Sequence, residues 1–238
     1  MDVPTSLIVV AFAALIQASF QLSIGVLSLL SGHALSARKS HKHIVRLTTS
    51  YIIGAGVMTL LLLSFIALIF LHSFQGGIPL IVWAVVCGLA FGIGLAVWLF
   101  YYKHRSNSTE LWIPRLFADY LHSRSKATRS GAESFSLGLT SVAAELIFIM
   151  PSLAITALVL IQLPSSWQLI GLALYTVISL LGLIIAWSMI GSGRSLAHIQ
   201  KWRVENKRFL QFAGGGALLV LGFFLYVSQV VSIAVGAS

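Results

Sequence analysis

The stretch FSLGLTSVAAELIFIMPSLAITALVLI, residues 135–161, carries a single charged side chain, Glu145, in an otherwise apolar or small-hydroxyl run. A helix that crosses a bilayer needs roughly 20 mostly apolar residues. This run is long enough, and it lacks the polar–apolar alternation over about ten positions that marks a spanning strand. It reads as a membrane-spanning helix. Five further segments read the same way: 5–31, 48–72, 78–102, 167–191 and 210–234. Composition agrees, with 58% of the 238 residues hydrophobic and 9% charged, where ordinary soluble domains carry about 25% charged residues. The expected fold class is an all-α membrane protein with six transmembrane helices. The N-terminus has no basic n-region, and its apolar run is too long for a cleavable signal.

Charge sets the expected orientation. The basic residues fall in three segments: Arg38, Lys39, Lys42 and Arg46; Lys103, Arg105, Arg115, Arg124, Lys126 and Arg129; and Arg194, Lys201, Arg203, Lys207 and Arg208. The connections near Gly76 and Ser165 carry none. Alternate loops that share all the basic residues give a positive-inside pattern. The expectation is a multi-pass cell-membrane protein with both termini non-cytoplasmic. The net charge of +9 is then explained by topology and anionic headgroups, which argues against a nucleic-acid partner. The lone Cys87 reads as a small buried residue beside Gly88.

The chain repeats. An offset of 128 residues places Gln17 and Phe20 on Glu145 and Phe148, Gly54 on Gly182, Gly88 and Gly94 on Gly216 and Gly222, and Trp98 on Tyr226. A unit of three crossings forces its second copy to be inverted, the architecture of many secondary transporters. The expected organisation is a first repeat at 1–104, a cytoplasmic segment at 105–133 and a second repeat at 134–238. Within 105–133, Leu111, Trp112, Leu116, Phe117, Tyr120 and Leu121 recur at helical spacing, as in an amphipathic surface helix. The basic, Ser-rich stretch 122–130 reads as a flexible connector. Gly88 with Gly92 and Gly94, and Gly214–Gly216 with Gly222, read as close helix contacts. Pro151 should bend or break its helix.

Glu145 is the one acidic residue inside a span. A carboxylate at that depth costs several kcal/mol unless paired or wetted, which points to a purpose. Ser141, Phe148, Ser152 and Thr156 share its helical face, and the first repeat offers Gln17, Phe20 and Gln21. Gln17, Phe20, Gln21, Ser141, Glu145, Phe148, Pro151 and Ser152 form the candidate solute site, with Thr156 further along the stripe; a structural hydrogen bond between Gln17 and Glu145 is the competing reading. His33, His41 and His43 could approach a metal, but Lys39 and Lys42 would repel it, so a solvated loop is expected there. No metal or cofactor is expected.

The run Phe135-Ser-Leu-Gly138-Leu-Thr-Ser141-Val-Ala-Ala-Glu145-Leu-Ile-Phe148-Ile-Met-Pro151 resembles the first half-motif of the DsbD/CcdA transmembrane electron carriers, members of the LysE-type transporter superfamily. Leu27-Ser-Leu-Leu-Ser-Gly32 ahead of a basic loop, and the Gly-x5-Gly spacing of the third and sixth segments, are similar to the same superfamily. Glu145 stands where the redox cysteine would be, Gln17 occupies the other such position, and Phe148 replaces a proline. Thiol–disulfide exchange needs a thiolate, so electron transfer of that kind is excluded. The resemblance implies a scaffold for export of small solutes such as amino acids or cations.

Three functional expectations follow. The first is a secondary transporter or exporter of a small solute, an amino acid or cation, with Glu145 able to couple it to protons. The second is a membrane scaffold or accessory subunit that docks a protein partner through its cytoplasmic loops. An intramembrane enzyme is set aside, because no nucleophile–base arrangement or acid pair lies within the spans.

Overall fold

A computed structural model of the chain describes residues 1–19, 41–74, 77–101, 121, 123–125, 127–128, 130–192 and 205–232. All regular structure among these is helical: α1 (Val3–Ser19), α2 (His41–Ser73), α3 (Leu80–Tyr101), α4 (Gly131–Ala144), α5 (Leu146–Gln162), α6 (Ser165–Ser179), α7 (Leu181–Gly191) and α8 (Lys207–Leu225), which continues as a π-helical turn, Tyr226–Val231. Three helices are long and apolar enough to cross a membrane, within Lys42–Ser73, Leu80–Leu99 and Arg208–Val231. The count becomes five if each bent pair is one span: α4 with α5, bent by 79°, and α6 with α7, bent by 53°. The apolar α1 has 17 described residues. The outer surface is rich in large apolar side chains, among them Ile8, Phe65, Leu68, Ile81, Leu169 and Phe223. Water would penalise such a surface and hydrocarbon would not, as befits a multi-pass membrane protein.

The first helix boundary differs from the sequence expectation. α2 begins at His41, so Lys42, His43 and Arg46 occupy its first turns rather than a loop. Ile44, Leu47 and Thr48 are buried there, and this apolar face extends the helix beyond the hydrophobic run. The His41 side chain and His33 lie outside what the structure describes, so the His33, His41 and His43 grouping does too. The connector also differs. Residues 123–125 are helical, Thr128 closes a turn onto the Arg124 carbonyl (3.0 Å), and Leu121, Ser125 and Thr128 are buried. Their i, i+4, i+7 spacing puts them on one face. Residues 111–120 lie outside the described set. Ser130 and Glu133 then cap α4 reciprocally, each side chain accepting the other's backbone N–H at 3.2 Å.

α5 is the central helix. Every residue from Pro151 to Leu160 is buried, as expected of a helix that is apolar on all sides. It packs against α1, α2 and α3. The most extensive packing joins α2 to α4, followed by α3 to α8 and α1 to α6. At the α2–α4 crossing, a Cβ added to Gly54 would overlap the Phe135 carbonyl, and one added to Gly138 the Tyr51 carbonyl. The Ser134 hydroxyl donates to the Leu47 carbonyl (2.6 Å). At the α3–α8 crossing, Gly94 and Gly215 meet backbone to backbone, Gly222 meets Ala90, and Trp98 stacks on Phe212 with centroids 5.1 Å apart. Gly88 and Gly92, expected at a close contact, have nothing within 4 Å of an added Cβ. They lie on the outer face of α3, and Gly94 alone of the three turns toward α8.

Candidate functional site

Glu145 is 4% exposed and sits at the break itself rather than within a continuous helix. It ends α4 with its N–H directed to Val142 and Ala143 carbonyls, and it is the N-cap of α5. Its carbonyl accepts from Phe148 (2.9 Å) and Ile149 (3.2 Å). A break of this kind leaves backbone groups without i→i−4 partners. At 79° the dipoles of the two helices no longer run head to tail, and the N-terminal end of α5 favours negative charge on the residue that starts it. The Glu145 side chain makes no capping hydrogen bond to α5.

The break is not at Pro151. α5 runs through that residue, which stands in its second turn, where the missing N–H costs the Ile147 carbonyl its helical partner. The bend instead falls where Glu145 bonds three residues back. Ser152 and Thr156 follow along α5, each 0% exposed. Neither hydroxyl has a hydrogen-bond partner among the described residues. A buried unpaired hydroxyl costs about 1–3 kcal/mol. Phe148 is half-buried beside the break.

Two tyrosines organise the remaining polar groups. Tyr51 on α2 donates to Ser141 on α4 (2.8 Å), and the Ser141 hydroxyl donates in turn to the Gly138 carbonyl (2.8 Å). Tyr175 on α6 donates to the Gln17 carbonyl oxygen on α1 (2.5 Å). All four residues are buried. Tyr175 lies 124 positions after Tyr51, and Ser141 lies 124 after Gln17. One shift therefore exchanges the two bonds, a helical turn short of the expected offset. Phe20 and Gln21 lie outside the described residues. The structure brings Gln17 and Ser141 into the buried interior with Glu145 and Ser152, but partners Gln17 with Tyr175. Sequence reasoning missed both tyrosines. The signal was present: a tyrosine in the middle of an apolar helix must find a partner for its hydroxyl.

A crevice of about 710 Å³ opens elsewhere, at the C-terminal ends of α2 and α5, with His72 and Gln162 among Leu68, Phe74, Ile78 and Ile161. None of the candidate site residues lines it. Its polar groups are few and exposed, so the buried constellation around the break is the better functional candidate. Among the described residues, no three His, Cys, Asp or Glu side chains gather as a metal site. In comparisons with known proteins, no family model, no curated sequence and no solved structure matches the chain.

Proposed function

We propose that the chain is a six-pass carrier built of two inverted three-helix repeats, a secondary transporter or exporter of a small solute such as an amino acid or cation. The solute site lies at the repeat interface, beside Glu145. The observation that carries this reading is the buried carboxyl at a 79° helix break. Discontinuous spanning helices are the usual makers of solute and coupling-ion sites in inverted-repeat carriers.

The helix directions support the repeat. Leu47–Ser134 and Tyr51–Gly138 pair in the same chain direction on α2 and α4. Leu7–Gly171 and Gln17–Tyr175 do so on α1 and α6. Trp98–Phe212, Gly94–Gly215 and Ala90–Gly222 run oppositely on α3 and α8. Six alternating crossings require the same relations: second with fourth parallel, first with fifth parallel, third against sixth. Exchanging the halves also turns the α2–α4 pairing into α1–α6, and α1–α8 into α3–α5, all of which occur. Both termini are then non-cytoplasmic, following the basic loops.

In this reading Glu145 takes up a proton or a cationic group. Gln17, Gln21 and Ser141 supply hydrogen bonds, and Phe20 and Phe148 limit water entry. Pro151 releases a carbonyl near the site. The superfamily resemblance of the Phe135–Pro151 run points the same way. The test is solute-driven proton movement in proteoliposomes, with amino acids and cations as cargo. Glu145→Gln should abolish coupled flux while the protein still inserts and elutes as folded. Flux retained in that variant removes Glu145 from the mechanism. Absence of flux in folded wild type, for every cargo, favours the scaffold reading.

A further inference from the structure

Many serines and threonines of the described helices return their hydroxyls to the backbone one turn back. Thr48, Thr59, Thr140 and Thr176 donate to the carbonyls of Ile44, Ala55, Ser136 and Leu172 at 2.8–3.1 Å. This is the ordinary recourse of a hydroxyl in a helix interior. Ser152 and Thr156 decline it, although both are completely buried in α5, the most enclosed helix among the described residues. Nothing in hydrocarbon can satisfy them from outside. They stand one turn apart on one face of α5, where side chains at i and i+4 have Cβ atoms about 5–6 Å apart. Hydroxyls on such neighbours are close enough for one water to bond both, with two hydrogen bonds of about 2.8 Å. Buried water in proteins is found where otherwise unsatisfied polar groups converge.

We infer that Ser152 and Thr156 form a buried water site that extends the polar stripe from Glu145 along α5 and hydrates the path by which the carboxyl exchanges protons. The inference rests on the solute-site reading for its purpose and on the two hydroxyls for its existence. Water is drawn there because neither hydroxyl spends its hydrogen-bonding capacity on the helix backbone. The neighbouring Ile155 and Leu158, equally buried, offer it nothing.

Cys87 is the chain's sole cysteine, so a Cys87→Ser background makes the site testable by thiol chemistry. In the full-length protein in proteoliposomes, Ser152→Cys, Thr156→Cys, Ile155→Cys and Leu158→Cys are each exposed to methanethiosulfonate ethylammonium. The cysteine thiolate attacks the reagent's sulfenyl sulfur and expels methanesulfinate, and forming the thiolate requires water at the sulfur. Cysteines at 152 and 156 should react at least ~10-fold faster than those at 155 and 158. Equal rates at all four positions overturn the inference. A second variant guards against a local packing artefact: adding Thr156→Val to Ser152→Cys should bring the rate at 152 down to that of the controls, and an unchanged rate also overturns it. Labelling requires no flux. Selective labelling with coupled flux unaffected by Glu145→Gln would remove Glu145 from the transport mechanism and leave the water site standing. Glu145-dependent flux without selective labelling would do the reverse.

Discussion

Tyr51 and Tyr175 each place a phenolic hydroxyl in the interior and bond it to a residue of the other half, Ser141 and Gln17. Removing one hydroxyl leaves its acceptor buried without that donor, so Tyr51→Phe and Tyr175→Phe should each destabilise the protein by about 1 kcal/mol. Unfolding in mixed micelles checks this. Ser141→Ala should cost at least as much as Tyr51→Phe, because it removes an acceptor and a donor at once. Glu145 and the stripe beyond it were legible as residues: a lone acid in an apolar run stands out, as do hydroxyls at helical spacing. Their partners were not legible. Which tyrosine meets which polar group depends on crossings between helices far apart in sequence.

At the level of helices, close approach is concentrated where a glycine faces a carbonyl. Gly138→Ala would drive a methyl into the Tyr51 carbonyl at the α2–α4 crossing, where neither backbone can give way without separating the helices. The expected cost is about 1–3 kcal/mol or more, read as reduced unfolding stability and lower yield of folded protein. Gly92→Ala meets nothing and should be neutral or stabilising by about 0.5–1 kcal/mol through helix propensity. The sequence marks both as helix glycines, and only packing separates them. Pro151 teaches a related lesson. A proline announces a weakened turn, but the bend settles six residues earlier, at Glu145, where α4 locks against α2 and α5 enters the core between α1, α2 and α3. The position of a bend reflects what the flanking helices must pack against, not only which residue lacks a donor.

Across the whole molecule, the principal packings among the described residues join an element of residues 1–101 to one of 131–231; the exceptions are consecutive elements of the second part. Neither half buries its own faces. Fragments 1–130 and 131–238 expressed separately should therefore be degraded or aggregate, while co-expression should restore a folded complex that co-purifies. A folded, stable half on its own would contradict the interlocked packing. Membrane residence and helical class followed from the sequence alone, because apolar length and the rarity of charge are local, additive properties of the chain. The basic loops carried the expected orientation in the same way, through the cost of moving charge across a bilayer. The pairing of helices, the place of the break, the partners of Gln17 and Ser141, and the seclusion of the Ser152 and Thr156 hydroxyls were decided only by the tertiary structure. Each depends on contacts between segments tens of residues apart, and apolar helices of similar composition leave those contacts unspecified until their small residues and carbonyls meet.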